Sequence, residues 1–122
     1  MHVLLGIGGR DDSFTALEKT VERVAETGDS LTIAILDNPD AAVDRATIRD
    51  RIDSTLDATG IEAEVVEIAG DPGGGLVDLA EQGGFDRVVV GGGKRSPMGK
   101  ITVGSIGEFV VLNADTTVTL IR

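Results

Sequence analysis

Short runs of apolar residues alternate along this chain with longer stretches whose apolar positions recur every three or four residues, and that alternation leaves few folds open. His2 to Ile7 reads as a first strand. The loop Gly8-Gly9-Arg10-Asp11-Asp12 follows, and Ser13 is placed to cap a helix carrying Phe14, Leu17, Val21 and Val24 on one face, with Gly28 as its stop. Leu31 to Leu36 makes a second strand that ends at Asp37-Asn38-Pro39, and Asp40 is positioned to cap a helix bearing Ile48, Ile52 and Leu56 before Gly60. After the third run, Ile61 to Ile68, the triplet Gly70-Asp71-Pro72 reads as turn, N-cap and first helical residue. Proline lacks the N–H that a helix start leaves unpaired anyway. Arg87 to Val90, between Gly83-Gly84 and Gly91-Gly92-Gly93, has the form of a short central strand buried on both faces. A loop is expected from Gly91 to Val103. Ser105 then opens a helix with Ile106, Phe109, Val110 and Leu112, and Thr116 to Ile121 forms a fifth strand. Strands separated by helices pair in parallel with right-handed crossovers, so the expected fold is a doubly wound, Rossmann-like α/β domain spanning residues 1–122, with helices on both faces of a five-stranded sheet.

Composition narrows what such a domain can do. Eleven Lys and Arg stand against 21 Asp and Glu, a formal charge of −10, which disfavours a nucleic-acid binder that gains affinity by releasing phosphate counterions. Cysteine is absent, so disulfides, thiolate metal sites and cysteine nucleophiles are excluded together. The single histidine, His2, lies at the start of the sequence, which leaves no ready imidazole for a Ser/His/Asp triad or a histidine metal cluster. No run approaches the ~18 apolar residues of a membrane span, and the start of the sequence does not read as a signal peptide, so a cytoplasmic location is expected. The carboxylate excess, with three Phe and neither Trp nor Tyr, also fits life in high salt.

The segment Gly91 to Ser105 stands out chemically. Its glycines let backbone N–H groups approach an oxyanion, the following helix start adds about half a positive charge, and Ser105 offers a hydroxyl donor. Lys94, Arg95 and Lys100 are three of the eleven basic residues, and no acid interrupts them. The pattern suits a phosphate, while a plain surface loop with turn glycines is the competing reading. It is not a P-loop, since Gly93-Lys94 and Gly99-Lys100 lack the Ser or Thr that must follow. The loop Gly6-Ile7-Gly8-Gly9-Arg10-Asp11 begins like a dinucleotide fingerprint but places an acid where its last glycine belongs.

With these residues in view, the chain resembles the universal stress protein superfamily over essentially its full length. Nucleotide-binding members carry a glycine, two residues, a second glycine, nine residues and then Gly-Ser or Gly-Thr. Here Gly91 takes the first place and Gly104-Ser105 the last, while Lys94 stands in the second. Its side chain either obstructs the tight turn at the phosphates or replaces a backbone contact with a charge pair. The resemblance implies strand order 3-2-1-4-5 and an ATP site, with possible Mg²⁺, at the ends of strands one and four. Gly91, Gly93, Lys94, Arg95, Gly99, Gly104, Ser105 and Ile106 would bind the nucleotide, the backbone around Leu36 would face adenine, and Ile7 and Gly8 would line the nucleoside pocket. Relatives have an acid at the end of strand one where this sequence has Gly8, and Asp11 and Asp12 come too late in the loop to be its equivalents. The resemblance further implies a homodimer through the strand from Thr116 to Ile121, an uncovered edge that invites pairing.

Three functions are compatible with this reading. The first is a cytoplasmic stress-response regulator that binds ATP and turns it over very slowly or not at all, since no arrangement of a positioned water and a base is evident; Ser96 and Ser105 resemble the phosphoacceptors of self-phosphorylating relatives but have no evident general base nearby. The second is a dimeric interaction module whose nucleotide site has been lost. The third is a receiver-type phosphoacceptor domain with Asp11-Asp12 as acidic pair and Asp71 as acceptor, disfavoured by Gly91 after strand four and by a last strand without lysine.

Overall fold

A computed structural model describes residues 1–95, 101–102 and 104–122. The order of elements is β1 (His2–Ile7), α1 (Asp11–Thr27), β2 (Ser30–Leu36), α2 (Arg45–Thr59), β3 (Glu64–Ile68), α3 (Pro72–Gln82), β4 (Arg87–Gly91), β5 (Lys94–Arg95), β6 (Ile101–Thr102), α4 (Ser105–Asn113) and β7 (Thr117–Ile121). The main sheet runs β3-β2-β1-β4-β7 with every pairing parallel, which is the expected 3-2-1-4-5 order with β7 as the fifth strand. Side chains alternate across it. Val3, Leu5 and Ile7 of β1, Ile33 and Ile35 of β2 and Val89 of β4 join the core under α1 and α2. Leu4, Ala34, Leu36, Val88 and Val90 join the core under α3 and α4. Because both faces are covered, these strands are apolar throughout, as parallel strands must be. Burying each large side chain contributes about 2 kcal/mol before ordering entropy is charged against it. No described helix is long and apolar enough to cross a membrane.

Several boundaries differ from expectation, each for a local reason. Helix α1 starts at Asp11, and its N-cap is Arg10 with no side-chain cap. Ser13 is no cap: its hydroxyl donates to Arg10 O at 2.7 Å and accepts from Gly9 N at 3.2 Å, tying the β1–α1 loop to the first turn. The cap of α2 is Asp44, accepting from Thr47 N at 2.8 Å, in place of Asp40. Asp40 is held outside the helix because its N–H bonds Asn38 Oδ1 at 3.1 Å, while Ala42 N donates to Gly9 O at 3.0 Å. Strand β3 begins at Glu64, opposite Thr32; Ile61 and Ala63 pack against the α2-side core ahead of the ladder. Strand β7 begins at Thr117, opposite Arg87. The expected loop between Gly91 and Val103 contains an antiparallel ribbon, Lys94 opposite Thr102 and Arg95 opposite Ile101. The cap of α3 is as read: Pro72 opens the helix and Asp71 accepts from Gly74 N at 2.8 Å.

Candidate functional site

The topology fixes where a cleft must form. Helices α1 and α2 carry the chain one way along the sheet, from β1 to β2 to β3, and α3 and α4 carry it the other way, to β4 and β7. Right-handed crossovers in opposite directions put the two helix pairs on opposite faces, so the loops leaving β1 and β4 diverge and open a crevice at their C-terminal ends. A cavity of about 200 Å³ lies there. Its floor is strand ends, Gly6 and Gly8 of the β1 end, Leu36 and Asn38 of the β2 end, and Val90 and Gly91 of β4. Its walls are two helix starts, Arg10, Asp12 and Ser13 at α1 and residues 104–107 at α4.

The α4 wall is built for an anion. Gly104 is the N-cap in extended backbone, so the first N–H groups of the helix have no intrahelical partner, and the helix dipole adds partial positive charge. Arg10 adds a full one at the other helix start, its Nη1 donating to Asp40 O at 3.0 Å. Leu36 and Ile106 supply apolar surface between them. Asp12 opposes this balance. Its Oδ2 accepts from Gly93 N at 2.9 Å, so a carboxylate already sits on the glycine segment. Two glycines permit the contact: a Cβ at Gly91 would lie 2.8 Å from the Asp12 carbonyl carbon, and Gly93 has φ of +82°.

Of the residues singled out from sequence, Gly8, Leu36, Gly91, Gly104, Ser105 and Ile106 line this one cavity. Ile7 does not; its side chain is fully buried in the core under α1 and α2. Gly93 reaches the rim through Asp12, Lys94 and Arg95 lie in the β5 strand of the ribbon, and Gly99, with Ser96 and Lys100, falls outside the described residues. Ser105 is the first helical residue, as expected, and Gly104 is the cap.

The lining also includes residues that the sequence reading did not place in the site, among them Arg10, Ser13 and Asn38. Asn38 donates through Nδ2 to Gly8 O at 2.9 Å, fastening the ends of β1 and β2 together. Its place two residues past the end of an apolar strand was the available signal, since ligands of these sheets bind at strand C-termini. His2 is remote, at the first residue of β1, where its Nε2 lies 3.2 Å from Thr32 Oγ1 and its ring 4.1 Å from Phe85. Asp71 lines no part of the cleft, and its carboxylate is committed to capping α3, so the acidic triad of a receiver domain is not assembled. Among the described residues no cluster of three His, Asp or Glu side chains is arranged to hold a metal.

Comparison with known proteins agrees with this geometry. A family model described as "Universal stress protein family" matches residues 1–122. A universal stress protein solved in complex with cAMP is 27% identical, superimposes with a TM-score of 0.77, and is matched over 100% of this chain and 96% of its own. A universal stress protein from Archaeoglobus fulgidus is 24% identical with a TM-score of 0.74, over 100% of this chain and 98% of its own. Another from the same organism, in complex with dAMP, is 19% identical with a TM-score of 0.68, over 100% and 98%. No curated protein matches in sequence.

Proposed function

The chain belongs to the universal stress protein family, and on that premise we propose that it binds an adenine nucleotide, ATP by preference, in the cleft between the ends of β1 and β4. The observation that carries this reading is the meeting of Gly91 with the open N-terminus of α4, Gly104-Ser105-Ile106, in one cavity with Leu36 and Arg10. Phosphates would take the N–H groups and the Ser105 hydroxyl, with Arg10 as counter-charge, and the base would lie on the apolar side near Leu36. Adenine nucleotides bound by structural relatives support the ligand class. Asp12 is the carboxylate nearest the glycine segment and would meet any Mg²⁺ that travels with the phosphates. The Asp12 carboxylate in the cleft is engaged by the Gly93 N–H and is not free to activate water, so ATP is held with little or no turnover, as suits a cytoplasmic stress-response regulator. The edge strand β7, paired with β4 alone among the described residues, would join its twofold mate in a homodimer.

A second reading, an interaction module without nucleotide, is favoured by one contact: the Asp12 carboxylate occupies the Gly93 N–H. Calorimetry with ATP and Mg²⁺ in high salt, on the natural protein and Gly104→Asp, separates the two. A Cβ at Gly104 meets nothing within 4 Å, and aspartate is a better N-cap than glycine, so the variant folds at least as well. ATP binding by the natural protein that Gly104→Asp loses establishes the site. No binding by either folded protein leaves the interaction module.

A further inference from the structure

Among the described residues, Arg10 is the one cation that lines the cleft, and a single neighbouring side chain holds it from two sides. Its guanidinium donates one N–H to the backbone oxygen of Asp40 at 3.0 Å, and no carboxylate among the described residues lies within 4.0 Å of it. A guanidinium has five N–H donors, so most of them remain for an anion. The Asp40 oxygen is presented by a turn that Asn38 closes. Asn38 Oδ1 accepts from Asp40 N at 3.1 Å, and the Asn38 carbonyl accepts from Ala41 N at 3.1 Å. The other end of the same amide reaches the main chain just ahead of Arg10, where Nδ2 donates to Gly8 O at 2.9 Å. A Cβ at Gly8 would come to 3.1 Å of that nitrogen, so glycine at the strand end is what admits the amide. Asn38 is itself anchored to β2, its N–H donating to Leu36 O at 3.1 Å. Both polar atoms of its side chain are thus engaged within the protein, and its effect on a ligand passes through what it holds.

We infer that Asn38 is a positioning residue of this cleft: it brackets Arg10, through Gly8 on the main-chain side and through Asp40 at the guanidinium, and so sets the counter-charge where the phosphates of a nucleotide arrive. The assignment rests on the nucleotide reading above. An exposed arginine samples many rotamers, and the freedom it gives up on meeting a phosphate is subtracted from the affinity. An arginine held beforehand gives up less. Asn38 supplies that holding without itself bonding the phosphates.

Calorimetry with Mg²⁺-free ATP on the natural protein, Asn38→Ala, Arg10→Met and the double variant tests the assignment. Arg10→Met removes a charge-assisted bond to phosphate and should weaken binding about tenfold, and Asn38→Ala should weaken it about fivefold. In the Arg10→Met background, Asn38→Ala should cost less than about twofold, because no guanidinium is left to place. An equal loss from Asn38→Ala in both backgrounds overturns the proposal and leaves the nucleotide site standing, since a loop merely loosened weakens ATP whether or not Arg10 is present. Undiminished binding by Asn38→Ala also overturns it. Absence of ATP binding by the natural protein overturns the nucleotide reading, and the proposal with it. The bond from Ala42 N to Gly9 O, 3.0 Å, does not involve Asn38 and keeps the two loops joined in the variant. Should Asn38→Ala nonetheless fail to fold, Asn38→Ser replaces it in the same cycle: its hydroxyl still accepts from Asp40 N but leaves Gly8 O unpaired, the first loss is about fourfold, and the same outcomes decide.

Discussion

At the scale of single residues, Asp12 has the largest leverage on the cleft. It stands in the first turn of α1 and reaches across to Gly93, so its negative charge lies on the segment that would receive phosphate. Asp12→Asn keeps an oxygen for the Gly93 N–H and removes the charge. A charge a few ångströms from another in a solvated cleft is worth about 1 kcal/mol, so affinity for Mg²⁺-free ATP measured by calorimetry should rise about fivefold in dilute buffer. The gain should shrink as salt screens it. Unchanged affinity at low salt would mean that Asp12 swings away when nucleotide arrives. Sequence reading pointed to the glycines of this site because glycine has few other uses between a buried strand and a helix. It missed the contacts of Asp12 with Gly93 and of Asn38 with Gly8 because they span 81 and 30 residues and depend on how the loops fold.

At the scale of elements, caps decide where helices begin, and one cap gives a pH dependence. Hydrogen bonds from the Thr47 hydroxyl and backbone hold the Asp44 carboxyl below its ordinary value, and the Thr27 hydroxyl, with help from the N-terminal ammonium, does the same for Asp29. A carboxylate whose folded pKa is depressed stabilises the fold above the unfolded value of about 3.9. That contribution is lost as pH falls through the lower folded value, because the unfolded chain then binds more protons. Asp44→Asn keeps the capping oxygen and cannot titrate. Urea unfolding of the variant should therefore match the natural protein near neutrality and lose less stability between about pH 4 and pH 2. Parallel acid limbs for the two proteins would contradict this. The strand and helix identities were legible because short unbroken apolar runs differ from stretches whose apolar residues recur every three or four positions. The Asp40 cap was misplaced because a capping residue is recognised by type alone, and Asn38, which keeps Asp40 out of the helix, acts through its side chain. The β5–β6 ribbon was illegible because pairs of two residues have no period to detect.

At the scale of the whole molecule, charge and edges act against each other. The sheet leaves β7 paired on one side only, and the neighbouring helix α4 exposes Val111 and Leu112, the latter at 74%. Both are surfaces that association would cover. Each chain nevertheless carries a formal charge of −10, so two chains meeting along β7 bring like charges together. The Debye length falls from about 10 Å at 0.1 M salt to about 3 Å at 1 M, so repulsion spread over the surface is removed while apolar burial is retained. Sedimentation equilibrium should accordingly show a mass approaching two chains of 12.6 kDa each at 1 M salt and a larger monomer fraction at 0.1 M. The thermal midpoint should rise over the same interval, since intrachain repulsion is screened as well. A monomer at both salt concentrations would leave β7 a free edge and remove dimerisation from the function. A dimer that weakens with salt would place ion pairs at the interface in preference to the β7 edge and the apolar face of α4.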